Sequence, residues 1–195
     1  MSAVLPRTLM AKGQLITIVG PSGAGKDAIL ALVKDAIPDL VFVQRVITRP
    51  ADGGFEDHIP VSEDEFAAMS QAGRFALEWQ ANGLSYGIPS AALDPVKAGK
   101  TVIFNGSRGA MKDILAAFPD VLVLSVEVGR EMLRDRLLSR GRETPEQIEA
   151  RLDRDVPPFP NGARVAVIDN SGALKDAAAQ MVSAITSVED GGTDV

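Results

Sequence analysis

Residues 20–27, Gly20-Pro21-Ser22-Gly23-Ala24-Gly25-Lys26-Asp27, combine glycines, a lysine and a carboxylate in the order a phosphate-cradling loop requires. Gly23 and Gly25 let the backbone curl so that successive amides point inward, and a following helix adds a field that favours anions. Lys26 reaches the β- and γ-phosphates of a nucleoside triphosphate as a point charge. The last position departs from the usual pattern, in which Ser or Thr binds Mg²⁺. Asp27 offers a hard oxygen there and could hold Mg²⁺ directly or through water. An ordinary glycine-rich turn would share the glycines but has no use for the lysine.

Such a loop must lie between a strand and a helix. Leu15–Val19 is an apolar run of strand length, and a helical pattern starts near Lys26. Val41–Ile47, Thr101–Phe104, Val121–Val126 and Arg164–Ile168 read as four more strands. Near-continuous Val/Ile/Leu runs alternating with helices predict an α/β chain with a mainly parallel sheet covered on both faces. Two segments interrupt this pattern. Thr48–Pro89 is rich in Gly, Pro and polar residues and has one clear helix, opened by the capping box Ser62–Glu65 and stopped at Gly73. Arg140–Pro157 contains a second helix start, with Thr144 as N-cap, Pro145 at N1 and Gln147 at N3. The expected organisation is one domain, with a core of about 13–47, 90–139 and 158–188. An insertion of about 48–89, a lid of about 140–157 and a frayed tail, 189–195, complete it.

Composition narrows the chemistry. The chain has 195 residues, 46% of them hydrophobic, enough for one buried core. Twenty basic against 26 acidic residues give a net charge of −6, which disfavours a non-specific nucleic-acid binder. The absence of cysteine excludes disulfides, thiolate catalysis and Cys-bound metals. His58 is the only histidine, so no His cluster can hold a metal. No run approaches the ~20 apolar residues of a membrane span, and a soluble cytoplasmic protein is expected.

Further motifs identify a family. Besides residues 20–27 these are Ile47–Pro50, Glu56–Ser62, Trp79–Gly87, Asn105–Arg108 and Arg140–Glu143. The chain resembles the guanylate-kinase-like branch of nucleoside monophosphate kinases, over about residues 14–170. Within that branch it is most similar to ribose 1,5-bisphosphate phosphokinases of phosphonate metabolism. The resemblance implies a P-loop NTPase three-layer fold, with an acceptor-binding insertion and a helical lid. It implies the reaction of ATP with α-D-ribose 1,5-bisphosphate to give ADP and 5-phosphoribosyl 1-diphosphate. An acceptor phosphate is already ionised near neutral pH, so positioning and charge stabilisation suffice, from Mg²⁺, Lys and Arg.

By the same resemblance Arg49 grips an acceptor phosphate. The second arginine of guanylate kinases is replaced by Asp52, and a phosphate-holding tyrosine by His58. Glu78 matches a position that reads guanine, though it could equally accept from ribose hydroxyls. Tyr86 would contact acceptor phosphate or pack a turn, and Trp79 is read as structural. Arg108, just past the third strand, is a candidate for the second acceptor phosphate or a solvent-facing helix start. Arg140 and Arg151 occupy lid positions that reach the ATP phosphates in guanylate kinases. Arg130, Arg134 and Arg154 read as a solvated helical surface with i,i+4 pairs. Arg142 has no assignment. The expected partners are ATP and a small phosphorylated sugar, with no nucleic acid and no membrane, in a monomer or homodimer. A GMP kinase, a non-catalytic guanylate-kinase-like binding module and nucleotide-driven regulation are the alternative functions.

Overall fold

In a computed structural model the described residues are 13–50, 57–141, 143–153 and 157–187. The chain-order elements are β1 (Leu15–Val19), α1 (Lys26–Ala36), β2 (Val41–Phe42), β3 (Val46–Ile47), β4 (Ile59–Pro60), α2 (Glu63–Gln71), β5 (Phe75–Ala81) and β6 (Leu84–Pro89). They continue with α3 (Asp94–Lys97), β7 (Val102–Asn105), α4 (Met111–Ala117), β8 (Leu122–Glu127), α5 (Arg130–Arg140), α6 (Pro145–Leu152), β9 (Arg164–Asp169) and α7 (Leu174–Thr186). Asp52, Glu56, Arg142, Arg154, Asp155 and the tail 189–195 lie outside the described residues.

Five strands form a parallel sheet in the order β2-β7-β1-β8-β9. Alternation along each strand divides the core between its faces. Ile16, Ile18, Leu122, Leu124 and Val126 pack on one side with α1 and α7 through Ile29, Val33, Met181 and Ile185. Val19, Phe104, Val121 and Val123 pack on the other with Met111 and Ile114 of α4. The expected α/β architecture with a mainly parallel sheet covered on both faces is what the chain adopts.

The expected strand Val41–Ile47 is a correction. It is two strands in two different sheets: β2 pairs with β7, whereas β3 joins a second sheet ordered β4-β3-β6-β5. The segment is apolar at both ends and broken by Gln44 and Arg45, and the change of partner falls there. The second sheet lies almost wholly within Thr48–Pro89, where one helix was expected. Its β5–β6 hairpin turns at Asn82 (φ 52°) and Gly83 (φ 73°), both left-handed. That Asn-Gly pair is a strong two-residue hairpin signal, and reading it would have found both strands. The two capping boxes form as expected, on Ser62/Glu65 and Thr144/Gln147.

Candidate active site

The phosphate loop leaves the sheet at Val19 and enters α1 at Lys26. Gly25 caps the helix at φ 90°, ψ 17°, and a Cβ there would fall 2.5 Å from Asn170 Nδ2. Only glycine satisfies both the left-handed backbone and that close approach. Asn170, 1% exposed at the end of β9, donates from Nδ2 to the Ala24 carbonyl at 2.6 Å. Arg136 on α5 donates to the same carbonyl at 3.4 Å and to the Asn170 carbonyl at 2.9 Å. In a trans peptide the next N–H points opposite to the carbonyl. Holding the Ala24 carbonyl therefore fixes the Gly25 amide on the side away from Asn170 and Arg136. The sequence reading assigned no role to Arg136 or Asn170.

Lys26 Nζ donates to the Gly20 carbonyl at 2.8 Å and to the Pro21 carbonyl at 3.1 Å. The ammonium thus arches over the loop its own backbone builds. Asp27 is exposed in the first turn of α1, beside it. No cluster of three or more His, Cys, Asp or Glu able to hold a metal occurs among the described residues. One exposed carboxylate beside a phosphate loop fits a hydrated Mg²⁺ completed by phosphate oxygens, since Mg²⁺ keeps several waters.

Arg140, exposed as the last residue of α5, lines a cavity shared with Gly23, Gly25, Arg136 and Asn170. Arg151 on α6 lies elsewhere: its Nη1 donates to both Glu143 oxygens, at 2.7 and 2.6 Å. The two lid arginines are therefore not together at the loop here. α5 and α6 join through Leu133, Leu137 and Ile148. Arg130 bridges to Asp153 and Glu149, and Arg134 to Glu149. These bonds cross between helices, which corrects the expected i,i+4 pairing within one.

The acceptor candidates form two groups. Arg49 and His58 meet: Arg49 Nη2 lies 3.5 Å from His58 Nδ1, and His58 Nε2 lies 3.3 Å from the Arg49 carbonyl. One neutral tautomer, protonated at Nε2, satisfies both contacts. Arg49 Nε is buried without a hydrogen-bond partner among the described residues. Asp57 accepts from Gln44 Nε2. Glu78 and Tyr86 are kept apart. Trp79 pairs across the hairpin with Tyr86, and Glu78 with Gly87, so alternation sends the carboxylate and the ring to opposite faces. Glu78 accepts from Ser70 of α2 at 3.0 Å. Tyr86 is 8% exposed and stacks on Trp79 at 5.4 Å, within β6 rather than in a turn.

Arg108 begins a short 3₁₀ turn after β7. Its guanidinium covers the Phe159 ring and donates to the Pro157 carbonyl at 3.1 Å and to Ser125 Oγ at 3.4 Å. Burial pushes its pKa down and the Glu127 charge pushes it back, and arginine stays cationic throughout. It is half-buried rather than a solvent-facing helix start.

Known proteins match this arrangement. The ribose 1,5-bisphosphate phosphokinase PhnN of Rhizobium etli strain CIAT 652 is 43% identical over 175 residues, covering 88% of this chain and 89% of that one. The protein of the same name from Burkholderia pseudomallei strain K96243 is 40% identical over 177 residues, covering 89% and 96%. Among solved structures, guanylate kinase from Anaplasma phagocytophilum superposes with a TM-score of 0.70 at 18% identity, covering 93% of this chain and 89% of that one. A gluconokinase from Sinorhizobium meliloti 1021 gives 0.51 at 14% identity, covering 92% and 94%. At such identities the structural likeness speaks for the fold alone. No family model matches the chain.

Proposed function

The chain belongs to the ribose 1,5-bisphosphate phosphokinase family, and on that premise we propose that it phosphorylates α-D-ribose 1,5-bisphosphate with ATP. An oxygen of the acceptor 1-phosphate attacks the γ-phosphorus, and the bond from that phosphorus to the β-bridging oxygen breaks. The products are ADP and 5-phospho-α-D-ribose 1-diphosphate. The carrying observation is identity of 40–43% over nearly nine-tenths of the chain with enzymes of that name. The described structure supports it with an intact phosphate loop, unlike the decayed loop a non-catalytic binding module would tolerate.

The residues divide the work. Loop amides from Ser22 to Gly25 cradle the β-phosphate, while Lys26 swings from the Gly20 and Pro21 carbonyls onto the β/γ oxygens. Asp27 would hold Mg²⁺, which neutralises charge on the phosphates when bound. Arg140 and Arg151 come in from the lid to stabilise charge in transit and exclude water. Arg49, with His58 behind it, takes an acceptor phosphate. Tyr86, Glu78 and Arg108 border the acceptor region, with Glu78 facing α2. ATP and a sugar phosphate suit work in the cytoplasm by a monomer or homodimer. No described helix is long and apolar enough to cross a membrane.

GMP is the competing acceptor, favoured by the fold and by Glu78. The Glu78 carboxylate lies on the other face of the hairpin from the Tyr86 ring, which weakens that reading. ADP release should show kcat/KM for ribose 1,5-bisphosphate above that for GMP by roughly 100-fold or more. A preference for GMP would sink the proposal. Replacing Asp27 with Ser should leave ATP binding intact and move the Mg²⁺ midpoint several-fold, on the order of one lost or altered ligand. An unchanged Mg²⁺ titration would place Asp27 outside the metal site.

A further inference from the structure

Asn105 closes β7 with a polar side chain after three buried apolar residues, Val102–Phe104. Its Oδ1 is buried and has no hydrogen-bond partner among the described residues. A buried acceptor in that state costs stability, so its presence calls for a reason. Its place in the sheet supplies one. β7 runs parallel to β1, and Asn105 lies in register with Ile18, two residues before the loop begins at Gly20. The two chains stay close beyond that point. Gly106 N–H bonds the Ile18 carbonyl at 2.9 Å, and a Cβ on Gly106 would fall 2.3 Å from Thr17 Oγ1.

Alternation fixes the side. Ile103 and Ile18 are buried in the cluster that α1 covers through Ile29 and Val33, whereas Phe104 belongs to the opposite face. Asn105 shares the face of Ile103 and Ile18. It is the next position along β7 on that face, at the carboxyl edge of the sheet, where α1 begins with Lys26 and Asp27. That edge is where open α/β sheets take ligands. The residue as a whole is only half-buried. With no bond on Oδ1 to hold the carboxamide, a turn about Cβ–Cγ presents the oxygen to the loop.

Charge points to the ligand. Phosphate loops commonly set a hydroxyl on the loop and a carboxylate on a strand around Mg²⁺. This chain has the carboxylate on the loop, at Asp27, and a neutral amide on the strand, at Asn105. We propose that the two chemical types have exchanged places: Asp27 supplies the negative charge toward Mg²⁺, and Asn105 Oδ1 accepts a hydrogen bond from a water of the hydrated ion. Asn105 is thus a positioning residue for the metal rather than a ligand. Mg²⁺ keeps several waters, and protein acceptors that hold those waters orient it. The proposal rests on the ATP and Mg²⁺ part of the reading above.

The test reads metal binding without turnover. Affinity for a non-hydrolysable ATP analogue is measured by calorimetry with and without Mg²⁺, and the ratio gives the metal's contribution. In the wild type Mg²⁺ should tighten binding. Asn105→Ala should lower the ratio by roughly 10-fold and leave the metal-free affinity within a few-fold. Asp27→Ser should lower it as well. Adding Asn105→Asp to Asp27→Ser should restore most of the ratio, because the carboxylate returns on the strand. Asp has the shape of Asn, and Ser is the residue phosphate loops commonly carry, so this pair decides even if the Ala variant folds poorly. Equal loss with and without Mg²⁺ in Asn105→Ala would overturn the proposal and make Asn105 a packing residue. A double variant no better than Asp27→Ser, or a wild type indifferent to Mg²⁺, would overturn it too. No acceptor is present, so failure of the wild type on ribose 1,5-bisphosphate would overturn the acceptor reading alone.

Discussion

Replacing Lys26 with Ala should lower kcat by roughly 1,000-fold or more while the melting temperature stays within about 2 °C. The first half follows from chemistry. With an acceptor phosphate as nucleophile there is no base to lose, so the barrier is lowered by charges aimed at the transferring group. Lys26 is the cation placed by the loop itself; neither lid arginine makes a described bond to that loop, and Arg140 only lines its cavity. The second half follows from packing. Lys26 Nζ bonds loop carbonyls at a partly exposed position, whereas the loop is clamped by Asn170 and Arg136. Single-turnover ADP formation and a thermal melt on the same preparation make the check. A variant with near-wild-type turnover would remove the loop from the chemistry. One that loses turnover only by unfolding would make Lys26 structural.

The second large effect is expected at Arg151. In this structure it is held by Glu143, with both side chains about 30% exposed. A half-exposed ion pair contributes about 0–1 kcal/mol to stability, so the pair is easily exchanged for another. Triphosphate is the stronger partner for a planar fork. Closure would therefore move Arg151 from carboxylate to phosphate, and Glu143 keeps the guanidinium oriented until then. Arg151→Ala should cost roughly 100- to 1,000-fold in kcat, with a smaller change in KM for ATP and little in melting temperature. Arg151→Lys should restore only part, because an ammonium lacks the second parallel donor. If kcat in the Ala variant stays within a few-fold of wild type, Arg151 belongs only to the ion pairs that frame α5 and α6. Its work would then fall to Arg140, which already lines the loop's cavity.

Features built from neighbours in the chain were legible before any coordinates. The phosphate loop is one: its glycines, its lysine and the flanking strand and helix lie within about twenty residues. The two capping boxes are another, since each closes over three residues. β1, β7, β8 and β9 were visible within a residue or so at each end because strands of a parallel sheet read as near-continuous apolar runs, although at the edge strand β9 only Ile168 is buried and Val167 stays exposed. The Asn82–Gly83 hairpin was equally local and was missed only because the surrounding segment reads as polar.

Tertiary structure decided what joins distant residues or divides adjacent ones. Asn170 supports Ala24 from 146 residues away, a contact no local pattern encodes. Val41–Ile47 changes sheets midway because β7 has an open edge for β2 while β6 claims β3. Glu78 and Tyr86 looked like companions in sequence, yet the hairpin register put them on opposite faces. Arg45 lies within the expected strand Val41–Ile47, and only the fold lays two aromatic rings beside it. Residue type and spacing determine which chemistry a chain can hold, because they set local backbone shape and charge. Which side chains share the site depends on register and on sheet partnership, and both arise from contacts between segments far apart in sequence.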